Sequence, residues 1–279
     1  MRPVVRRTVI ASAVLLALTA AALAFAGSSV GTALFRAKDG FIACEREPRV
    51  LFEPGAERWA GMVARDLPGA IELVERKQLR PFKRPLRVYV CATQESFNAC
   101  MAAPPGAAAR GVKVGNDVFL SPESFSSWRG DTHASVLAHE LSHLHIYQRM
   151  GHIRFLWTLP VWFVEGLAVT VSGGGGEGVA DAEAIRAIAE GRHFVPDDSG
   201  ALLRPKRAAD YGLETFMFYR QSELFVSYLW AADPEAFERL LLELQSGGRK
   251  SFREAFEECF RVGVGGMWER FEEQLGNVS

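Results

Sequence analysis

The chain has 279 residues, of which 48% are hydrophobic and 23% are charged. This length and composition fit one large or two small globular domains, and they exclude a disordered tail or a fibrous repeat. The 32 basic and 33 acidic residues give a net charge of −1. Such a chain lacks the basic field that binds nucleic acid, so we expect no nucleic-acid partner.

The N-terminal segment has the pattern of an export signal. Three arginines among the first seven residues precede an uncharged, largely aliphatic stretch that reaches Phe35. We predict that residues 1–26 are a signal peptide cleaved after Ala26, or an uncleaved membrane anchor. Both alternatives place the rest of the chain outside the cytoplasm, as a periplasmic, secreted or membrane-tethered protein. An arginine pair leaves either the general or the twin-arginine export route open.

The exported part is predicted to be one domain in two lobes. Residues 27–47 form a linker, and the domain spans 48–279 with lobes of about 48–150 and 151–279. Strand-like runs and one long amphipathic helix make the first lobe mixed. The strands are predicted at 49–52, 86–91 and 111–120, and the helix at 56–78. Helical periodicity follows at 132–149, 160–171, 180–190, 213–232, 234–245, 251–260 and 265–275. Strands followed by helices indicate the α+β class.

The four cysteines include no C-x-x-C pair, which argues against a thiolate zinc ribbon or a thioredoxin-type site. In an oxidising compartment, Cys91 could bond to Cys100 and Cys44 to Cys259. The alternative is four buried thiols. Any metal ligands must therefore be histidines and carboxylates.

An H-E-x-x-H sequence, His139 to His143, lies within the helical run VLAHELSHLHIYQ. Two imidazoles four residues apart share one helix face and can reach one ion. Glu140 is turned by about 100° from His139, so it can approach a water at the metal without being a ligand. The alternative is a surface helix with unrelated histidines.

A catalytic zinc site typically takes three protein ligands and a water. Ile146 and Arg149 stand where a metzincin would have Gly and His, which excludes that class. Glu165 is the next carboxylate after Glu140, and it is the only charged residue in the apolar run 155–176. A carboxylate there needs a partner or a cation.

Three other interpretations of this region remain open. Glu165 could form a buried salt bridge, or the apolar run could be a second membrane span. His145 and His152 are rival ligands, although His145 faces away from His143 on the helix.

The two motifs HELSHLHI and LPVWFVEGLAVTVS resemble those of the gluzincin metallopeptidases, the clan of thermolysin and the aminopeptidases, and above all its compact bacterial members. The resemblance covers roughly residues 48–275 and implies a zincin-like fold. It implies that His139, His143 and Glu165 bind Zn²⁺ and that Glu140 is the general base. It also makes Trp162, Gly166, Leu167 and Ala168 framing positions where helices pack closely.

The same resemblance implies a Tyr or His that hydrogen-bonds the developing oxyanion. Tyr219 is the first candidate for a second catalytic residue, and Tyr211 and His193 follow. The alternative is that Tyr219 is an ordinary half-buried aromatic side chain.

The sequence thus predicts a zinc-dependent peptidase with a peptide or protein substrate. The alternatives are a catalytically silent binding or assembly factor of the cell envelope and a non-peptidase hydrolase. We also expect one strand of the 111–120 hairpin to lie at the sheet edge near the metal and to pair with an extended peptide. The hairpin could instead only cover the core.

Overall fold

The computed structural model describes residues 38–101, 110–126, 133–175, 178–200 and 205–276. The predicted signal peptide or anchor, 1–26, lies outside the described residues. Within these ranges the strands are β1 (Ile42–Cys44), β2 (Glu47–Phe52), β3 (Arg87–Val90), β4 (Gly111–Val114) and β5 (Asp117–Leu120). The α-helices are α1 (Glu57–Lys77), α2 (Gln94–Met101), α3 (His133–Met150), α4 (His152–Thr158), α5 (Val161–Ser172), α6 (Asp181–Ala189), α7 (Thr215–Ala232), α8 (Pro234–Gln245), α9 (Phe252–Phe260) and α10 (Val264–Gly276).

The strands form one mixed sheet in the order β1-β2-β3-β5-β4. Strands β2, β3 and β5 are parallel, and the two hairpins β1–β2 and β4–β5 are antiparallel. Strand β1 corrects the prediction that 27–47 is only a linker. Three residues are too few to show strand periodicity, and this segment becomes a strand because it pairs with β2.

One core joins the two predicted lobes. Helices α1 and α3 pack together beside the sheet, and buried side chains continue from Val50 in β2 to Phe271 in α10. The opposite face of the sheet carries a small cluster that includes Tyr89, Phe119 and Phe97 of α2. A small N-terminal sheet followed by helices confirms the predicted mixed α+β class.

Helix α5 is held tightly against α7 at Gly166. A Cβ atom at this glycine would lie 2.5 Å from the carbonyl oxygen of Ser222, so no larger residue fits. Trp162 is buried, donates a hydrogen bond to the Asp197 carbonyl at 2.8 Å and packs on aromatic side chains of the helical lobe. Helix α5 ends at Gly173, whose φ of +69° is the left-handed C-terminal conformation that glycine adopts without strain.

The apolar run that contains Glu165 is divided between α4 and α5, which meet at a bend of 106°. In the described part of the chain, no single helix is both long and apolar enough to cross a membrane. Helices α4 and α5 taken together are long and apolar enough, by length and composition alone. The large apolar side chains of α5, including Trp162, Phe163 and Leu167, are buried in the protein.

The four cysteines all lie in described residues, and none forms a disulfide. Cys91 and Cys259 are buried, and Cys44 and Cys100 are half-buried. Cys100 lies beside Cys91, and the contact between their sulfur atoms raises the pKa of the Cys91 thiol. The structure thus shows thiols in place of the two predicted disulfides. Cys91 and Cys100 nevertheless lie next to each other, as predicted.

Candidate metal centre

Helix α3 places the two histidines of the H-E-x-x-H sequence on one face, as their four-residue spacing predicts. The Nε2 atoms of His139 and His143 are 3.1 Å apart, and the ring planes are nearly perpendicular. Both side chains are largely buried at the bottom of a cleft. This geometry directs two imidazole nitrogens at one point.

Helix α5 brings Glu165 to the same point. Its Oε2 atom is 3.4 Å from the Nε2 atoms of both His139 and His143. One ligand atom from each of the three residues lies within 4.8 Å of the other two. The close crossing at Gly166 fixes the position of the neighbouring Glu165, because α5 cannot move outward without opening its contact with α7.

These three residues fit a divalent metal ion. Glu165 Oε2 is buried and has no hydrogen-bond partner, which is rare for a carboxylate oxygen unless it binds a cation. Burial alone would raise the pKa of Glu165, but His143 and His139 outweigh it and hold that pKa well below its usual range. The carboxyl is therefore ionised, as a metal ligand must be. Two imidazoles and one carboxylate are a donor set suited to zinc.

Glu140 lies beside this cluster and is also buried. Burial raises its pKa, although the nearby His143 and His139 oppose the shift. A raised carboxyl pKa suits a general base. Strand β4 passes so close that a Cβ atom at Gly111 would lie 2.8 Å from the Cγ atom of Glu140, so Gly111 leaves room for this side chain.

Tyr219 of α7 lines the same cleft. Its ring centre is 6.2 Å from that of His139. The negative charge of Glu165, followed by burial, raises the pKa of its hydroxyl, which therefore stays protonated and able to donate a hydrogen bond. Tyr219 thus lies in the same cleft as the three candidate metal ligands, and its role in catalysis stays a prediction.

The other two oxyanion candidates do not line the cleft. The Tyr211 hydroxyl donates to the Val195 carbonyl at 3.1 Å. The His193 ring is held by the Phe194 carbonyl at 2.8 Å and by Glu272 at 3.3 Å.

The rival ligand His145 contacts protein groups at both ring nitrogens and is not among the cleft residues. Its Nδ1 is 2.6 Å from Oε1 of Gln78, and its Nε2 is 2.7 Å from the carbonyl oxygen of Arg80. Burial lowers its pKa to about 4, so the ring is neutral. His152, the other rival, stacks edge-on against Tyr147 and is not among the cleft residues.

The glycine run after α5 packs against His139, a contact that the sequence did not predict. A Cβ atom at Gly175 would lie 3.0 Å from Nδ1 of His139, and the φ of Gly175 is +117°. Burial opposes a charge on His139, but Glu165 outweighs it and raises the pKa of this ring, with a smaller contribution from the Gly174 carbonyl. His139 Nδ1 makes no hydrogen bond in the described chain. Ligand histidines commonly direct their second nitrogen at a backbone carbonyl, which orients the ring. The only sequence signal was the run of glycines 173–176.

The cleft has a volume of about 830 Å³ and lies between β4, α3, α5 and α7. A smaller pocket of about 410 Å³ adjoins it at Glu165 and Tyr219. Apolar side chains dominate this side pocket, including Phe155, Leu159 and Phe218. The metal-ligand cluster thus lies in a groove large enough for several residues of an extended chain.

No protein-family model matches the chain, and no curated protein matches its sequence. Among solved structures, the fold is similar to yeast LTA4 hydrolase in complex with bestatin, with a TM-score of 0.47 and 14% sequence identity. The match covers 83% of this chain and 37% of that one, so this chain spans little more than a third of its length. This likeness is too distant to carry an activity across, so the site must be interpreted from its own residues.

Proposed function

We propose that the protein is a zinc-dependent peptidase of the gluzincin type, which hydrolyses peptide bonds. The observation that carries the proposal is the convergence of His139, His143 and Glu165 beside the buried carboxyl of Glu140, inside an open cleft. Glu165 Oε2 lies 3.4 Å from both imidazole Nε2 atoms without a well-formed hydrogen bond to either, an arrangement that a cation between the three groups would stabilise.

The chemistry assigned to this chain's own residues is proton transfer and charge stabilisation. A zinc ion held by the three ligands supplies Lewis acidity, which acidifies water and polarises a carbonyl group. Glu140 accepts a proton from the attacking water while the water oxygen bonds to the carbonyl carbon. Glu140 then passes this proton to the departing amine as the C–N bond breaks. Tyr219 donates a hydrogen bond to the carbonyl oxygen, on which negative charge develops.

We further propose that the enzyme acts outside the cytoplasm, because its N-terminal sequence has the charge and apolar pattern of an export signal. Mass spectrometry of the mature protein measures its N-terminus. A first residue of Gly27 supports cleavage after Ala26, an intact N-terminus in the membrane fraction supports an anchor, and a cytoplasmic full-length protein contradicts both.

The activity is tested with casein and a peptide library, each incubated with the purified protein in the presence and absence of a chelator. We expect cleavage that the chelator abolishes and added zinc restores. Metal-bound protein that cleaves neither casein nor the library contradicts the proposal and favours a silent binding factor. Cleavage that is insensitive to chelation contradicts the metal mechanism.

A further inference from the structure

Strand β4 is the edge of the described sheet, and its hydrogen-bond register fixes which groups face outward. Val114 and Asp117 flank the two-residue turn of the β4–β5 hairpin, and Val112 faces Phe119. At the other end of the hairpin, the Ser121 amide donates a hydrogen bond to the Arg110 carbonyl at 2.8 Å. In an antiparallel pair, alternate residues bond to the partner strand. The N–H and C=O groups of Lys113 therefore point away from β5, toward the open edge. This position suits pairing with an extended peptide.

The side chain of Lys113 lies on the same face of β4 as Gly111, because side chains alternate along a strand. That face is the one that meets Glu140. The ammonium nitrogen of Lys113 lies 3.4 Å from the ring centre of Tyr147 and 5.5 Å from that of Phe155. Lys113 thus lines the cleft together with the candidate general base.

In the described chain, no carboxylate lies within ion-pair distance of the Lys113 ammonium. The ammonium instead contacts the two aromatic rings of Tyr147 and Phe155. Burial lowers its pKa to about 8, with the charge of Glu140 opposing the shift, so the group remains largely cationic at neutral pH. By contrast, Arg110 in the same cleft donates to the carbonyl oxygens of Glu123 and Ser124. A desolvated cation that makes no ion pair gains from an incoming anion.

We infer that Lys113 is a specificity-determining residue whose ammonium group binds a carboxylate of the peptide substrate close to the scissile bond. This inference rests on the proposed function. Tyr147, which contacts the ammonium, follows His143 by four residues on α3, or about 6 Å along the helix axis. An extended chain advances about 3.3 Å per residue. The carboxylate therefore belongs to an acidic side chain or a chain terminus within about two residues of the cleaved bond.

The test uses peptide pairs that differ only by Glu or Gln at each position flanking the cleaved bond, with free or amidated C-termini. We expect kcat/KM to be about tenfold or more higher for the carboxylate member, the size typical of a charge-assisted contact. A preference that follows Glu identifies a side-chain carboxylate, and one lost on amidation identifies the C-terminus. Equal cleavage of all members contradicts the inference.

Lys113→Gln should remove this preference, and Lys113→Glu should reverse it in favour of Lys-containing peptides. Lys77→Gln is the matched control, because Lys77 also lies over an aromatic ring, that of Trp230, but is not among the cleft residues. Its preference should equal that of the native protein. If Lys113→Gln lowers kcat equally for acidic and neutral peptides, Lys113 acts through Glu140 and the inference is wrong.

Peptide binding to the Glu140→Gln variant distinguishes the proposed peptidase activity from the proposed role of Lys113. Its Kd values for the Glu and Gln peptides should keep the preference even though turnover is lost. If the native protein cleaves no peptide but the binding measurements show a preference for the Glu peptide, the peptidase proposal is wrong and the role of Lys113 stands. Cleavage without charge preference in either measurement would reject only the role of Lys113.

Discussion

Helix α3 carries two buried polar clusters that differ in one respect. The metal cluster contains His139 and His143, and the structural cluster is centred on His145, only two residues further along. Both ring nitrogens of His145 have protein partners at 2.6 and 2.7 Å. In the metal cluster, the three side chains direct ligand atoms at one another, and Glu165 Oε2 has no hydrogen bond.

The difference shows how a ligand histidine can be distinguished from a core histidine. The cluster around His145 is built from protein groups alone, because Gln78 contacts the ring of His145 and also bonds to Ser142 at 2.5 Å and to Gln245 at 2.9 Å. A cluster with convergent lone pairs needs a cation. Substitutions in the two clusters should therefore change different properties.

The largest effect is expected from Glu140→Gln, which keeps the shape of the side chain but removes the proton acceptor. General-base loss should lower kcat by about 10²- to 10⁴-fold, because proton transfer from water then has no acceptor. Zinc content, measured by atomic absorption, should match that of the native protein. Full activity in this variant would remove Glu140 from the mechanism.

Tyr219→Phe should have the next largest effect. Loss of one oxyanion donor typically lowers kcat by about 10²- to 10³-fold, and KM should change little because the contact strengthens only in the transition state. Steady-state kinetics measure both constants. Tyr211→Phe is the matched control, since that hydroxyl bonds to Val195 outside the cleft. Similar kinetics for both variants would show that Tyr219 is only a packing residue.

Gly175→Ala should weaken metal binding by about 10- to 100-fold, the usual range when the support of a ligand histidine is disturbed. The added methyl group would lie 3.0 Å from His139 Nδ1 and would also strain a backbone with φ of +117°. Competition with a chromophoric chelator measures the zinc Kd. Gly178→Ala, also at positive φ but with open space around it, controls for backbone strain. Equal zinc affinity in both variants would contradict the support of His139 by Gly175.

His145→Ala should have the smallest effect on the metal centre and a clear effect on folding. We expect the free energy of unfolding to fall by about 1–3 kcal/mol, because Gln78 and the Arg80 carbonyl lose a buried partner. Zinc content should not change. Loss of zinc with unchanged stability would reverse the assignment of the two clusters.

The same residue gives a pH dependence with a defined sign. Folding lowers the pKa of His145 from an ordinary 6.5 to about 4. Between these values the unfolded chain binds a proton that the folded chain does not, so this contribution to stability is lost as the pH falls from 6.5 to 4. Urea unfolding at several pH values should show a shallower decline in His145→Ala. Parallel curves for the two proteins would contradict a neutral buried ring.

The sequence predicted what short-range spacing determines. The i, i+4 spacing of His139 and His143 defines their common face, and the isolated Glu165 in an apolar run indicated a special environment. The predicted helices begin and end within about two residues of the observed ones, while the short helix α4 was not predicted. The 111–120 hairpin also lies at the predicted sheet edge, and its pairing with substrate stays a prediction.

Features that depend on pairing between distant segments were not predictable. Nothing local indicates that the side chain of Gln78 would contact the ring of His145, or that Gly175 would pack on His139. The parallel order of β2, β3 and β5 likewise depends on long-range contacts. The register also shows that Val114 bonds toward β5, so a proline at this position would disturb the hairpin and would not test pairing with a substrate.

The most direct test of the central claim is the zinc stoichiometry of the native protein and of Glu165→Ala after dialysis against a defined free-zinc buffer. Glu123→Ala is the matched control, because Glu123 lines the same cleft but is not part of the ligand cluster. We expect one zinc per chain in the native protein and in the control, and substoichiometric zinc in Glu165→Ala. Substoichiometric zinc in the native protein that is unchanged in Glu165→Ala would contradict the assignment of His139, His143 and Glu165 as the metal ligands.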